Sequence, residues 1–401
     1  MGLSVARELL RRYPSERVVL LEKEPTVGRH ASGRNSGVLH SGVYYPPGSL
    51  KARICAQGRA EWVDFCSEHG VPLMNSGKLL VPMREEDAGQ LDLLEARGPQ
   101  NGVEVERLDE QALRAMEPEV RSATGEALYV PATAVVSAPA SMEALAKVVH
   151  REGADVRFGS ALRSVDPGSR SLSWGNEPIH YGHVVNCAGT HADTVAHRFG
   201  VGERYTLLPF RGIYWKVDPA AGFSIRRLVY PVPDLRVPFL GVHTTTTVDG
   251  DLYLGPTAIP ALGRENYGGL AGASPWQAAR IFGLLVRQFA GNRDGFRRLA
   301  RQEALRYFKG PFTSAAKALL PRLQPSHLLP TRKTGIRAQM LDRKEGRMVM
   351  DFLVERGHHS THVLNAISPA FTCAFPLARL LVDEFIENSP GKPKDVQDHD
   401  T

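Results

Sequence analysis

No apolar stretch of the 401 residues reaches the length of a membrane span, and the residues from Met1 onward carry no signal-peptide pattern. No membrane-spanning helix is expected in this sequence, while peripheral membrane association stays open. Cysteine is scarce. Cys55, Cys66, Cys187 and Cys373 have neither metal-type nor CxxC spacing, so they read as reduced, mostly buried thiols in a reducing compartment. Clustered positive charge is missing too: the net charge is +6 and the pI about 9.1, but Arg and Lys are scattered, which argues against nucleic-acid binding. The positive balance favours an anionic substrate or cofactor by steering.

What remains is an ordinary globular composition, 42% hydrophobic and 23% charged, in a 44.0 kDa chain long enough for two or three domains. It is organised around Gly28-Arg29-His30-Ala31-Ser32-Gly33-Arg34-Asn35-Ser36-Gly37-Val38-Leu39-His40-Ser41-Gly42-Val43-Tyr44-Tyr45. So polar and glycine-rich a stretch cannot fill a core, yet it follows directly on a strand-like run. Glycines let backbone approach a ligand closely, and Ser32, Asn35 and Ser36 add short polar groups, which suits a cofactor's phosphates and ring edge. An ordinary surface loop is the bland alternative.

Taken in order, Leu3, Ala6, Leu9 and Leu10 recur at helical spacing, and Pro14 ends that helix. Val18-Val19-Leu20-Leu21 then reads as a strand buried on both faces, closed by the carboxylate of Glu22. In a dinucleotide-binding unit the third glycine of GxGxxG opens the helix and an acidic residue about 20 positions on meets the ribose. Gly2 and Glu22 have that separation. The first strand and first two glycines of such a unit are absent, and the expectation is a late-assigned start or a fragment that holds its cofactor poorly.

Further on, Ser49 to Cys66 reads as a helix, Gly77 to Pro82 as a strand entering a second domain, and Arg84 to Glu119 as helical with breaks at Gly98 and Pro118. Ser141 to His150 is a helix, Ala154 to Phe158 a strand, and Val184-Val185-Asn186-Cys187-Ala188-Gly189 a strand ending in small residues that admit a ligand. Ile213 to Val217, Phe239 to Thr244 and Leu252 to Leu254 read as an antiparallel sheet. Helices fill Pro275 to Leu320, strand character returns over 335–340 and 348–354, a last helix covers Leu377 to Ile386, and the tail is polar.

With these flanks read, Gly33 to Tyr45, followed by Pro47, Ser49, Leu50 and Lys51, resembles the signature of the L-2-hydroxyglutarate dehydrogenases (oxidases), flavoproteins of the D-amino-acid oxidase-like superfamily. Gly77-Lys78-Leu79, Pro209-Phe210-Arg211-Gly212, Tyr230-Pro231-Val232-Pro233-Asp234, Pro238 to His243, Gly255-Pro256, Gly335-Ile336-Arg337-Ala338-Gln339 and Asn365-Ala366 agree in the same order. The chain departs from that pattern in the missing first strand and in the bulk of Ile367, Phe371 and Phe375, where the family has small residues.

The resemblance implies an α/β (α+β overall) protein: a Rossmann-like FAD-binding domain lacking its first strand, over 1–72, 139–203 and 330–388, and an antiparallel-sheet substrate domain over 73–138 and 204–329. Residues 389–401 are expected to be a disordered tail. FAD would lie extended along Gly2, Glu22, Lys23, Gly33, Arg34, Asn35, Ser36, Gly37, Val38 and His40, with Leu162 at the adenine, Cys187, Ala188 and Gly189 along it, and Asn365, Ser368 and Pro369 near the ring.

The implied reaction is oxidation of L-2-hydroxyglutarate to 2-oxoglutarate, with the C2 hydride passing to flavin N5 and a neutral imidazole taking the hydroxyl proton. His243 is the favoured base and His40 the second candidate. A dicarboxylate substrate calls for guanidinium clamps, for which Arg211, Arg337 and, more weakly, Arg264 are candidates, with Tyr214 and Tyr230 beside them. His358, His359 and His362 lack accompanying ligands and read as a loop histidine run, so no metal is expected. The electron acceptor is oxygen or a membrane quinone, and the compartment cytoplasmic in a bacterium or mitochondrial in a eukaryote. A flavin amine oxidase of the glycine or sarcosine type, an inactive truncated paralogue and a nicotinamide dehydrogenase are the competing readings.

Overall fold

The computed structural model describes residues 1–175, 178–235 and 241–387. Phe239 and Leu240 of the expected 239–244 strand, and the 389–401 tail, lie outside that range.

The first helix, Gly2–Arg12, buries Leu3, Ala6 and Leu10 and leaves its arginines at the rim. It packs beside Ala138–Arg151 and Ala374–Leu380. The strand after it, Val19–Leu21, is half-buried along its whole length and not buried on both faces as its apolar run implied. Among the described residues it pairs only with Asp155–Arg157, in parallel. Val184–Asn186 and Ser360–Asn365 form a second, separate parallel pair. The carboxyl ends of these strands carry Glu22, Ser160 and Cys187, as an open α/β sheet requires of its ligand-facing edge.

Leu50–His69 is a helix because Ser49 caps the Ala52 amide and Gly70, at φ +64°, ends it. The break expected at Gly98 falls later. Gly98 sits inside Ala88–Gln100, where a Cβ would meet Val105 at 2.7 Å, and the helix stops at Asn101.

Lys78–Val81 lies in a four-stranded sheet between Leu228–Pro231, parallel to it, and Ala127–Val130, antiparallel. Tyr205–Val217 and Leu328–Asp342 form a long antiparallel ladder in a separate sheet. His243–Thr246 and Leu252–Gly255 continue the same sheet, and Pro275–Gly291, Phe296–Leu305 and Lys309–Lys317 follow as helices.

Candidate active site

The central loop is built by its own polar groups. Asn35 Nδ2 donates to the carbonyls of Ala31 and Ser32, its Oδ1 accepts from the Gly37 amide, and Ser36 Oγ accepts from Val38. Arg34 donates from Nε to the Arg29 carbonyl at 2.7 Å and lies over the Tyr267 ring. Glycine is needed here for the loop's own packing: a Cβ on Gly33 would lie 2.0 Å from the Gly28 carbonyl, and one on Gly37 2.2 Å from that of Val136. These contacts differ from the expected approach to a ligand, because backbone already occupies the space.

The carboxyl-end groups have partners of their own. Glu22 accepts the Glu24 amide, the Leu162 carbonyl accepts from Arg198, and the turn at Cys187, Ala188 and Gly189 lies against Gly2, whose Cβ would be 3.6 Å from that of Cys187. Lys23 is tied to Glu24 and, at 2.9 Å, to Glu265, so its charge is already matched. Lys23 and His30 hold the Glu24 carboxyl down at about 2. Glu24, His30 and Glu265 are spaced as metal ligands could be, but the Lys23 ammonium occupies the position a cation would take.

Beyond the loop the backbone turns into Val38–Leu39, and the His40 amide donates to Thr372 Oγ1, which donates in turn to the Val38 carbonyl. This clip joins the C-terminal segment to the loop. His40 Nδ1 and Ser41 Oγ are buried with no hydrogen-bond partner. His243, at the start of its strand, is 4% exposed, stacks on Tyr230 with ring centroids 3.8 Å apart, and donates from Nδ1 to the Gly241 carbonyl at 2.8 Å. A carbonyl only accepts, so the proton is on Nδ1 and Nε2 carries the lone pair.

Burial, helped by the positive charges of Lys78 and Arg337, pushes both imidazoles down to about 3. Both rings are therefore neutral at ordinary pH. The Tyr214 hydroxyl is raised to about 12 and that of Tyr230 further, again by burial, so both remain protonated.

Not every predicted residue joins this group. Arg264 donates to both oxygens of Asp193, at 2.6 and 2.8 Å, and to the Thr190 carbonyl. It is an ion-paired structural residue, because the Asp193 side chain is only 1% exposed and needs a counter-charge. Arg211 pairs with Ile336 and Arg337 with Phe210, so on adjacent rungs the two guanidinium stems leave opposite faces of the ladder. Arg337 is the one whose charge reaches both imidazoles.

The Asn365 side chain is fully buried and spent on the Met340 amide and the Val349 and Asp351 carbonyls, which leaves no side-chain donor for a cofactor. Ser368 is exposed just beyond it and Pro369 accepts the Cys373 amide. The bulk at Phe371 and Phe375 packs on Trp62, at 4.8 and 4.7 Å between centroids, and so belongs to the core. His358 and His359 stand at a hairpin turn, whereas His362 is buried in the strand, bonded to Asn186 and Ser360.

Sequence reading passed over Lys78. This lysine is wholly buried, its Nζ has no hydrogen-bond partner, and it lies 4.3 Å from the centroid of Tyr44, whose hydroxyl is likewise buried and unpartnered. A lysine heading the apolar run Leu79-Leu80-Val81 was the available signal, since lysine is almost never fully buried without a partner.

Carboxyl-end loops of a parallel sheet set against an antiparallel sheet that carries neutral, buried imidazoles define a nucleotide-cofactor oxidoreductase. The profile of the FAD dependent oxidoreductase (DAO) family matches residues 1–384, and the chain belongs to that family. It is 35% identical over 395 residues to the L-2-hydroxyglutarate dehydrogenase of Indibacter alkaliphilus, covering 94% of each chain. It is 32% identical to the mitochondrial enzyme of that name from Homo sapiens, covering 96% of this chain and 86% of the relative.

Among solved structures, FAD-bound L-alpha-glycerophosphate oxidase from Mycoplasma pneumoniae has the same fold, with a TM-score of 0.71 at 20% identity over 95% of this chain and 91% of that one. A glycine oxidase from Geobacillus kaustophilus is alike in fold alone, at 19% identity and a TM-score of 0.67 over 97% and 92%. The curated relatives thus weigh toward CH–OH oxidation and against the amine-oxidase reading. No helix among the described residues is long and apolar enough to cross a membrane.

Proposed function

We propose that this protein oxidises L-2-hydroxyglutarate to 2-oxoglutarate. The observation that carries the reading is the pair of buried, neutral imidazoles with the Lys78 amine and the Arg337 guanidinium acting on both, which is an environment for an anion whose hydroxyl must lose a proton. FAD suits the donor set, with Glu22, Leu162, the turn at Cys187, Ala188 and Gly189 and the backbone of the segment from Gly33 to His40 as its holders, and when bound it would supply a hydride acceptor for C2.

His243 Nε2 takes the hydroxyl proton, and the Gly241 carbonyl keeps the other nitrogen protonated and the ring aimed. An imidazole held near 3 is a weak base until the dianion arrives; negative charge beside it then favours imidazolium and raises its proton affinity toward the working range. Arg337 orients a carboxylate, and the buried Tyr214 and Tyr230 exclude water.

The test is turnover of purified flavoprotein with an artificial acceptor on L-2-hydroxyglutarate, its D isomer, glycine and sarcosine. The L-hydroxy acid should be consumed fastest; turnover confined to the amines overturns the reading.

The electron acceptor we assign is a membrane quinone, with oxygen the alternative, and the protein sits peripherally on the bilayer. Supporting this, Phe282, Val286 and Phe289 form an exposed apolar stripe at helical spacing on Pro275–Gly291, and the exposed Trp276 stands on the neighbouring face with Arg280 and Arg287. Co-sedimentation with anionic vesicles should fall about 10-fold when Trp276 and Phe282 become Ser; unchanged binding removes the proposal. The compartment follows the source, cytoplasmic in a bacterium and mitochondrial in a eukaryote.

A further inference from the structure

A lysine buried to zero exposure is costly, and the cost is ordinarily met by a carboxylate or by hydrogen bonds. Lys78 has neither. Its Nζ lacks a hydrogen-bond partner among the described residues, it lies 4.3 and 5.4 Å from the neutral rings of Tyr44 and Tyr230, and the Tyr44 hydroxyl is an equally unpartnered buried donor. The register explains the grouping. Lys78 pairs with Leu228 and Leu80 with Tyr230, so Lys78 and Tyr230 share a face, and the ring stacked on Tyr230 is that of His243.

Arg337 reaches the same imidazoles from another sheet, the long ladder of Tyr205–Val217 and Leu328–Asp342. Two cations from separate sheets flanking one reaction centre match the two ends of an extended dianion. The planar fork of Arg337 suits the carboxylate next to the reacting carbon, where orientation matters most, and the point charge of a lysine on its flexible stem suits the far one.

We propose that Lys78, assisted by the Tyr44 hydroxyl, binds the substrate carboxylate remote from the reacting carbon and so selects dicarboxylic over monocarboxylic 2-hydroxy acids. This rests on the function proposed above. The lysine's proton affinity accords with it, since burial lowers Lys78 to about 7 in the ligand-free site and a bound carboxylate would restore its charge.

The experiment compares wild type, Lys78→Met, Lys78→Arg and Tyr44→Phe holoenzymes on L-2-hydroxyglutarate and on L-2-hydroxyvalerate, which has the same chain length and one carboxylate fewer. Lys78→Met should cut kcat/KM for the dicarboxylate about 100-fold, mainly through KM, and collapse its preference over the monocarboxylate. Lys78→Arg should retain part of that preference, and Tyr44→Phe should lose about 3- to 10-fold.

Equal losses on both substrates, or no loss on either, overturn the assignment. Glutarate and valerate titrated into each holoenzyme, followed by the flavin spectrum, give a readout independent of turnover. Wild type that binds glutarate better than valerate while Lys78→Met does not upholds the carboxylate site even if L-2-hydroxyglutarate is not oxidised, an outcome that would sink only the proposed reaction. Retained flavin absorbance and an unchanged melting curve show that the Met variant is folded.

Discussion

The central loop runs directly into His40 of the imidazole site, yet the two regions treat their polar atoms in opposite ways. From Gly28 to Gly37 the side chains of Arg34, Asn35 and Ser36 are bonded to their own loop, and Asn365 across from it is fully spent on backbone. Around the imidazoles, His40 Nδ1, Tyr44 Oη and Lys78 Nζ are buried without hydrogen-bond partners among the described residues. The first region is a frame finished by folding; the second, on the function proposed above, is finished by a ligand. Damage to the frame should therefore cost stability, and damage to the site should cost chemistry.

The largest effect expected on the site side is that of His243→Ala, which should lower kcat on L-2-hydroxyglutarate by about 10²- to 10⁴-fold with flavin content unchanged. A variant that loses flavin in proportion to activity would move His243 into the frame. Next comes the frame's buried ion pair. Arg264→Met strands the Asp193 carboxylate and should destabilise by about 3–5 kcal/mol in denaturant melts, with kcat of the folded fraction little changed. A selective KM increase there would instead return Arg264 to the site.

Asn365→Ala removes bonds to the Met340, Val349 and Asp351 backbones and should cost about 2–3 kcal/mol, again without a change in substrate preference. The smallest effect is one of pH. His40 and His243 are held near 3 in the folded protein, below the ordinary 6.5, so the unfolded chain binds more protons between those values and stability falls as pH drops through that window. Replacing either histidine with Asn should flatten that acid limb; if it does not, the imidazoles are solvated and the contrast between regions weakens.

The polar, glycine-rich run after Leu21 pointed to the proposed cofactor edge because such a segment cannot form a core. Its glycines, however, answer to the carbonyls of Gly28 and Val136, which no local pattern reveals. Arg211 and Arg337 looked equivalent as charged residues in motif segments, but which face each leaves by depends on a register set by a strand more than a hundred residues away. Arg264 looked free because Asp193, which neutralises it, is distant in the chain. Lys78 looked like the first residue of a strand, and only burial distinguishes that from a cation held in reserve.

By itself the sequence determined the elements that local physics controls: the helix from Gly2, the Val19–Leu21 strand with Glu22 at its end, the capped helix after Ser49 and the loop between them. Periodicity, capping and glycine content are properties of neighbours along the chain. Tertiary structure alone decided which charges are cancelled and which are left, since desolvation and ion pairing depend on groups that meet only after folding. That is why Arg264 became structure, Lys78 became a candidate carboxylate anchor, and His243 received its fixed tautomer from the Gly241 carbonyl.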